Sequence, residues 1–448
     1  MWSEYELIEA SRLAARQNHK YGTFGLDVAA AFLETQAVWL SYFPLSKAFR
    51  EASTQTAQRL RAVSKLSDHM TKRHKDKPEF NIKTTYLNGR TVLVDETTVS
   101  DKPYYELKRF KKNMPRRKDP KLLIVSPMSG HYASLLKSTV EAMLPNHDVY
   151  IVDWKNPRDV DVSENGIFDF EKYMDCVLKT INTLGPDVHL MGISQSTVPL
   201  LAATGVLAQK NSKNQPVSLT LIGGPVDTRK SKTSLHDFAE KTSFNWFSQN
   251  VIGKVPSWFK GKGRKVYPGY TQLMALMQHG KNKHLDKLSQ LNIALKEKDC
   301  CTAEELNGFY KEYFAVMDLD QSFFFDTLRH VYKDHSLANG TMTYKGKTID
   351  LSKIKKTKLL TIEGGKDQIC LAGETKAAHD LCSNLDSEKK THITFSEFGH
   401  YGIAIGSRFK QNVAPKITKF IRSGMDRKYA PIARAQSGRC PHNGPARK

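Results

Sequence analysis

The chain has 448 residues and a net charge of +22, with 68 lysines and arginines against 46 aspartates and glutamates. A hydrophobic content of 40% excludes an intrinsically disordered chain, and the six cysteines lack the spacing of a zinc site or a disulfide framework. No run of 18 uncharged apolar residues occurs, and Met1 to Arg16 lack the apolar core of a signal peptide. We therefore expect a cytoplasmic protein without a transmembrane segment.

The first part of the chain predicts helices followed by a small antiparallel unit. Residues 1–75 mix apolar and charged positions, which indicates an N-terminal helical region. Asn88-Gly89 is a two-residue turn signal between strands at 82–87 and 90–94. Residues 104–110 predict a third strand at the edge of the sheet.

Two stretches concentrate the positive charge: residues 108–118 and the tail after Gly424. Such stretches are attracted to anionic surfaces, although most are simply solvated faces. No helix-turn-helix, zinc-finger or RNA-recognition pattern accompanies them, so we expect no specific nucleic-acid partner. The tail at 425–448 is basic and rich in proline and glycine, and we expect it to be disordered.

From residue 122 onward, apolar strands alternate with helices until Asp227. The predicted elements are strands at 122–126, 149–153 and 188–193, a helix at 168–184 and a helix that ends near 209. This spacing indicates a parallel sheet covered by helices on both faces. The first part of this α/β core spans 76–227, a cap insertion spans 228–355, and the second part of the core spans 356–424.

Residues 188–197 read Val-His-Leu-Met-Gly-Ile-Ser-Gln-Ser-Thr, a buried strand that runs into a serine and then into a small-residue helix. A serine on such a turn is a nucleophile elbow, because its hydroxyl is lifted clear of the sheet. The next backbone N–H, on Gln195, points toward the place where an oxyanion would form. The pattern Gly-x-Ser-x-Gly ends here in Ser196 rather than glycine. Ser194 is the candidate nucleophile.

Asp367 and His400 are the candidate partners of Ser194. Asp367 follows a late apolar strand and its glycine turn, and His400 lies between two glycines after the last strand. A serine hydroxyl reacts at neutral pH only when an imidazole takes its proton and a carboxylate orients that imidazole. Asp227, after the strand that begins at 219, is the alternative acid. The late-strand position is the commoner one and favours Asp367.

The cap insertion contains two groups of aromatic residues. They are Phe244, Trp246, Phe247, Trp258, Phe259, Tyr267 and Tyr270, then Phe309, Tyr310, Tyr313, Phe314, Phe323, Phe324, Phe325 and Tyr332. The second group recurs at helical spacing, which more often indicates a core than a ligand platform. An insertion between the nucleophile strand and the acid strand lies over the active site, where surplus aromatics suit a bulky apolar substrate. We expect Trp246, Phe247, Trp258 and Phe259 to bind substrate.

Three segments carry a resemblance to a known family. They are Ser-Pro-Met-Ser-Gly-His-Tyr-Ala-Ser-Leu-Leu at 126–136, the segment at 147–160 that contains Val-Asp-Trp-Lys-Asn-Pro, and Gly-Gly-Pro-Val-Asp-Thr at 223–228. Together they resemble the intracellular poly(3-hydroxybutyrate) depolymerases, over about residues 1–423. The resemblance implies an α/β-hydrolase fold, with a mostly parallel, doubly covered sheet and a large helical, aromatic-rich cap.

The same resemblance implies roles for individual residues. Ser194 falls at the nucleophile position, Asp367 at the acid and His400 at the base. By analogy with the fold, the loop that contains Met128 and Ser129 contributes the second oxyanion donor beside Gln195.

One departure from the family concerns the nucleophile, because well-known members carry cysteine where this chain has Ser194. A thioester can pass its acyl group to another thiol, whereas the oxyester of serine is better matched to water. The resemblance thus implies hydrolysis of polyhydroxyalkanoate ester bonds through an acyl-enzyme, releasing 3-hydroxybutyrate or oligomers. The implied partner is the surface of cytoplasmic storage granules, and the chemistry requires no metal or organic cofactor.

Two alternative functions belong to other classes. An esterase for small soluble esters is one, and a smaller, less aromatic cap would have favoured it. A non-catalytic granule-coat or nucleic-acid-associated protein is the other, and such a protein has no use for a working serine, acid and histidine.

Overall fold

The computed structural model describes residues 77–269 and 299–423, together with 271–273, 275, 287, 290, 291, 293, 294 and 297. The helical region predicted for 1–75 and the basic tail predicted for 425–448 lie outside the described residues. Within the described part of the chain, no helix is both long enough and apolar enough to cross a membrane.

A sheet of nine strands forms the core. In chain order the strands are β1 (Thr84–Leu87), β2 (Arg90–Asp101), β3 (Tyr105–Lys112), β4 (Lys121–Val125), β5 (Asp148–Trp154), β6 (Val188–Ile193), β7 (Ser218–Ile222), β8 (Lys358–Gly364) and β9 (Lys390–Phe395). Their order across the sheet is β1-β2-β3-β5-β4-β6-β7-β8-β9. The pairs from β1 to β5 are antiparallel, and the pairs from β5 to β9 are parallel.

Helices cover both faces of this sheet and form part of the cap. They are α1 (Lys137–Met143), α2 (Phe170–Leu184), α3 (Thr197–Gln209), α4 (Ser234–Lys241), α5 (Phe244–Asn250), α6 (Cys300–Tyr313), α7 (Gln321–Thr327), α8 (Ala378–Leu381) and α9 (Ala414–Arg422). Short helical turns occur at Val162–Asn165 and Gly406–Arg408, and π-helical segments at Leu328–Lys333 and Phe409–Val413.

The central strands are buried along almost their whole length because helices cover both of their faces. In β4, Leu123 and Val125 pack into one core cluster while Leu122 and Ile124 pack into the cluster on the opposite face. This alternation follows from the two-residue repeat of a strand. The predicted α/β-hydrolase fold, with its mostly parallel and doubly covered sheet, is confirmed.

Two predicted elements differ in the structure. The strand predicted at 104–110 does not lie at the edge of the sheet, because β3 pairs with β2 on one side and with β5 on the other. The long antiparallel β2, whose second half is polar, covers β3. In the second part of the core, the sequence predicts a helix at residues 373–385, but this segment forms mainly turns and only Ala378–Leu381 is α-helical.

The cap contains its own small sheet, in which Lys265–Tyr267 pairs with Gly253–Lys254 and with Leu319–Asp320. A buried ion pair joins Arg264 and Asp320 within the cap, and both residues also bond to the core. Arg264 Nη2 donates to the carbonyls of Val160 and Gly166 at 3.1 and 3.2 Å, and Asp320 accepts the N–H of Phe168 at 3.2 Å. The cap is thus attached next to the carboxyl end of β5.

Candidate active site

The turn after β6 holds Ser194 in the left-handed region of the backbone, at φ +55°. A residue with a side chain is strained there, and such strain is typical of sharp functional turns. The Thr197 hydroxyl donates to the Ser194 carbonyl at 2.7 Å and fixes the turn. At Gly192, a Cβ atom would come within 3.0 Å of the Leu200 side chain. This close approach of strand and helix turns Ser194 toward the carboxyl edge of the sheet.

Ser196 occupies the position at which the elbow pattern has glycine, and its side chain stabilises the turn. Its buried hydroxyl accepts the N–H of Ile193 at 2.9 Å and lies 2.7 Å from the carbonyl of Val125 at the end of β4. The hydroxyl therefore ties the elbow to the neighbouring strand. This contact explains why the chain departs from the pattern without losing the turn.

The structure brings Ser194, His400 and Asp367 together in one hydrogen-bonded chain. His400 Nε2 lies 3.0 Å from Ser194 Oγ, and His400 Nδ1 lies 2.7 Å from Asp367 Oδ2. The other carboxylate oxygen of Asp367 accepts the N–H groups of Ile369 and Cys370 at 2.8 and 3.1 Å. Both oxygens are thus occupied, so the carboxylate is fixed where it can orient the imidazole.

Glycines provide the space in which the three side chains meet. Gly223, at the end of β7, has φ +53°, and a Cβ atom there would lie 3.5 Å from both Asp367 Oδ2 and His400 Cε1. In the turn before Asp367, a Cβ on Gly364 would come within 2.5 Å of the carbonyl of Phe398. The acid loop and the histidine loop can therefore approach each other this closely only with glycine at Gly364, while the positive φ favours glycine at Gly223.

Asp227, the alternative acid, is engaged elsewhere. Its carboxylate accepts two hydrogen bonds from the Arg229 guanidinium, at 2.8 and 2.9 Å. Burial alone would raise the pKa of Asp227, but these bonds hold it below its usual value. No described hydrogen bond joins Asp227 to His400, so the structure favours Asp367 as the orienting acid.

Two of the three residues predicted for the oxyanion hole, Met128 and Gln195, meet in the structure. The Met128 N–H donates to the side-chain Oε1 of Gln195 at 2.9 Å. Beyond Met128 the loop turns back sharply, since the Gly130 N–H donates to the Met128 carbonyl at 2.7 Å and Gly130 has φ +81°. The Ser129 carbonyl lies 3.2 Å from His131 Nδ1. Met128 and Gln195 thus contact each other directly, while Ser129 contacts the following histidine.

The four aromatic residues predicted to bind substrate form two separate pairs. The ring centres of Trp246 and Phe247 lie 5.5 Å apart, and those of Trp258 and Phe259 lie 6.2 Å apart. Phe247 is only 4% exposed and packs in a cluster of the cap, whereas Trp246 is 42% and Trp258 51% exposed. Phe259 lies 4.8 Å below the Arg158 guanidinium. The two tryptophans are therefore the exposed members of this set.

Tyr401 is a neighbour of the site that sequence reasoning missed. Its ring lies 5.9 Å from the His400 ring and contacts the rings of Phe309 and Tyr313. Tyr401 also lines a cleft of 1130 Å³, to which Ser194, Asp367 and His400 do not contribute. The only sequence signal for Tyr401 is its position directly after His400, and the cap residues that it contacts are distant in the chain.

Cys370 lies beside the acid loop but has the character of a core residue. It is 2% exposed, and burial raises the pKa of its thiol well above the usual value. A buried thiol of this kind is a poor nucleophile, because the thiolate is the reactive form.

The model of one protein family, described as PHB de-polymerase C-terminus, matches residues 223–425. No curated protein matches the chain. Among solved structures, the chain is similar to esterases of the fungus Rhizomucor miehei, at 10% identity and a TM-score of 0.43, covering 81% of this chain and 90% of that chain.

Two further solved structures are similar at the same low level. The monoacylglycerol lipase of Paleococcus ferrophilus has 12% identity and a TM-score of 0.37, covering 68% of this chain and 96% of that chain. The N-formylmaleamic acid deformylase of Pseudomonas putida S16 has 11% identity and a TM-score of 0.39, covering 74% of this chain and 98% of that chain. Identities this low carry no functional argument. The family match covers the segment from Gly223 through Asp367 and His400, and this part of the chain is similar to the C-terminal part of PHB de-polymerases.

Proposed function

We propose that the protein is a serine hydrolase that cleaves ester bonds in a polyhydroxyalkanoate, specifically poly(3-hydroxybutyrate), at the surface of storage granules. The observation that carries this proposal is the hydrogen-bonded chain from Ser194 through His400 to Asp367. Two of these three residues lie inside the segment that matches the PHB de-polymerase family.

The geometry supports a two-step acyl transfer. His400 Nε2 removes the proton of the Ser194 hydroxyl while its oxygen attacks the ester carbonyl. Asp367 accepts the Nδ1–H of His400 and stabilises the imidazolium that forms. The carbonyl oxygen becomes an oxyanion, which the backbone N–H groups of Gln195 and Met128 stabilise.

The acyl-enzyme then resolves with water. The imidazolium of His400 gives its proton to the leaving hydroxyl of the polymer, and the same imidazole next deprotonates a water molecule that attacks the Ser194 ester. The products are 3-hydroxybutyrate or its oligomers, together with a shortened polymer. An oxyester at Ser194 favours water as the acceptor over a thiol such as coenzyme A.

The cap offers an apolar surface for the polymer. Leu235 and Phe238 on α4 and Trp246 on α5 are all exposed, and the rings of Phe238 and Trp246 lie 5.5 Å apart. Exposed apolar side chains gathered in this way are typical of a surface that binds an apolar partner. In this proposal Trp246 and Trp258 contact the polymer, while Phe247 and Phe259 support them from beneath.

The test uses native amorphous granules of poly(3-hydroxybutyrate), with and without coenzyme A, and identifies the products. We expect the wild-type protein to release 3-hydroxybutyrate or oligomers without coenzyme A, and Ser194→Ala to lose at least ~10³-fold in rate. The exposed Ser163→Ala is the matched control and should keep full activity.

Two results would contradict the proposal. Full activity of a folded Ser194→Ala protein would reject the nucleophile. Cleavage of small soluble esters without any attack on granules would reject the polymer as substrate and support the small-ester alternative.

A further inference from the structure

One of the two N–H groups proposed to hold the oxyanion already has a partner in the structure. The Met128 N–H donates to the side-chain Oε1 of Gln195 at 2.9 Å. The other proposed donor is the backbone N–H of Gln195 itself. A single residue therefore supplies one donor with its backbone and occupies the second with its side chain.

The register of the sheet explains why these groups meet. β4 and β6 are parallel neighbours, and Val125 is paired with Gly192. Met128 is the third residue after Val125, and Gln195 is the third after Gly192. Both loops leave the same edge of the sheet from matching positions, so their N–H groups converge. An acceptor at 2.9 Å from Met128 N stands where an oxyanion would accept the same hydrogen bond.

The Gln195 side chain is suited to occupy the oxyanion position temporarily. Its amide oxygen is a neutral acceptor and gives the Met128 N–H a partner, which matters because Met128 is almost fully buried and an unpaired N–H there is costly. At its other end, Nε2 makes no hydrogen bond within the described residues. One neutral hydrogen bond is weak enough to be exchanged when another acceptor is held at the same place.

We propose that the Gln195 side chain is a plug of the oxyanion hole, which swings out when an ester carbonyl binds and returns when the product leaves. The carbonyl oxygen of the substrate takes over the Met128 N–H, so one neutral acceptor replaces another. As negative charge develops on the substrate oxygen, its hydrogen bond from the Met128 N–H strengthens. The Gln195 amide stays neutral, so its own bond to Met128 cannot strengthen in the same way. The inference rests on the proposed function, because it assumes that Ser194 attacks an ester.

The test replaces the acceptor and keeps the length of the side chain. Gln195→Met has no acceptor, so the ester carbonyl no longer competes with the plug. We expect KM for a soluble ester to fall by roughly 2- to 10-fold, the effect of one neutral hydrogen bond, with little change in kcat. The rate at which a fluorophosphonate labels Ser194 should rise by the same factor, because its phosphoryl oxygen needs the same N–H.

A second variant strengthens the plug. Gln195→Glu keeps the acceptor, makes the hydrogen bond charge-assisted and places a negative charge beside the oxyanion. We expect kcat/KM to fall by at least ~10-fold. The surface variant Gln209→Met is the matched control, since Gln209 bonds only to the Thr348 carbonyl far from the site, and its kinetics should equal those of the wild type.

A fall of kcat/KM and of the labelling rate in Gln195→Met, at unchanged melting temperature, would overturn the plug and make the side chain a support for Met128. If Gln195→Met does not fold, Gln195→Asn, which is too short to reach Met128, applies the same test. The outcome for the proposed function is separate. An active and labelled Ser194→Ala protein would reject the nucleophile, whereas an inactive one with slower Gln195→Met would reject the plug alone.

Discussion

The catalytic edge of the core and the cap above it use their side chains in different ways. At the edge, each candidate residue lies within five residues of a strand end: Ser194 directly follows β6, Asp367 follows β8 by three residues, and His400 follows β9 by five. In the cap, large aromatics such as Tyr310 and Phe323 fill the interior, and few reach the surface. Strand ends therefore fix the position of a reactive group, whereas an aromatic in a cap is a structural element unless it is exposed.

The largest expected effect lies at the catalytic edge, where two aspartates are compared. Asp367→Asn should lower the rate of ester cleavage by about 10³- to 10⁴-fold, because His400 would lose the carboxylate that holds its tautomer. Asp227→Asn removes only an acceptor of Arg229 and should cost less than about tenfold. Steady-state rates with a soluble ester measure the loss in each variant. A larger loss in Asp227→Asn than in Asp367→Asn would identify Asp227 as the acid that orients His400.

The next effect tests how firmly the cap is attached to the core. Arg264→Met leaves Asp320 as a buried charge without its partner and should lower the free energy of unfolding by about 3–5 kcal/mol. Urea unfolding followed by intrinsic fluorescence measures the change. The double variant Arg264→Met with Asp320→Leu removes both charges and should recover a large part of the loss. An unchanged stability in the single variant would mean that neither the ion pair nor the bonds of Arg264 to the core stabilise the protein.

Acid should weaken the core through buried histidines. Burial lowers the pKa of His131 to about 4, and that of His147 and His189 to about 3. The unfolded chain takes up these protons below about pH 6.5 while the folded chain does not, so stability is complete above pH 6.5 and falls as the pH drops toward 4. Each histidine contributes a slope of about 1.4 kcal/mol per pH unit.

Denaturant unfolding at several pH values between 7 and 4.5 measures this slope. In His189→Gln, which keeps a polar group near the Ser218 hydroxyl, one of the three contributions disappears and the slope should become shallower. An identical slope in the variant would show that His189 takes up its proton in the folded state.

The smallest effect on the chemistry concerns the exposed aromatics of the cap. Trp246→Ala with Trp258→Ala should lower granule cleavage several-fold, since each exposed ring contributes on the order of 1 kcal/mol to an apolar contact, while turnover of a soluble ester stays the same. Phe247→Ala should instead cost about 3–5 kcal/mol of stability, because this ring is buried in the cap. Equal losses on granules and soluble ester in the double variant would assign the tryptophans to the structure of the cap.

The sequence by itself predicted the parts of this protein that local pattern controls. Apolar runs predicted the buried strands, and the order of Ser194, Asp367 and His400 along the chain predicted which strand ends carry reactive groups. The elbow pattern also predicts the backbone N–H of Gln195 as an oxyanion donor, whereas the loop with Met128 and Ser129 is proposed by analogy with the fold. These predictions work because a buried strand is recognisable from its residues alone, and because parallel strands bring their carboxyl ends to one edge.

Only the tertiary structure decided which groups touch. The choice between Asp367 and Asp227 depends on contacts across the sheet, the exposure of Trp246 against the burial of Phe247 depends on how α5 packs, and the place of β3 depends on the neighbours that cover it. The hydrogen bond between Gln195 and Met128 belongs to the same class, since it follows from the register of β4 and β6. Such contacts join residues that are distant in the chain, and hydrophobic pattern and turn residues carry no record of which distant partner a side chain will meet.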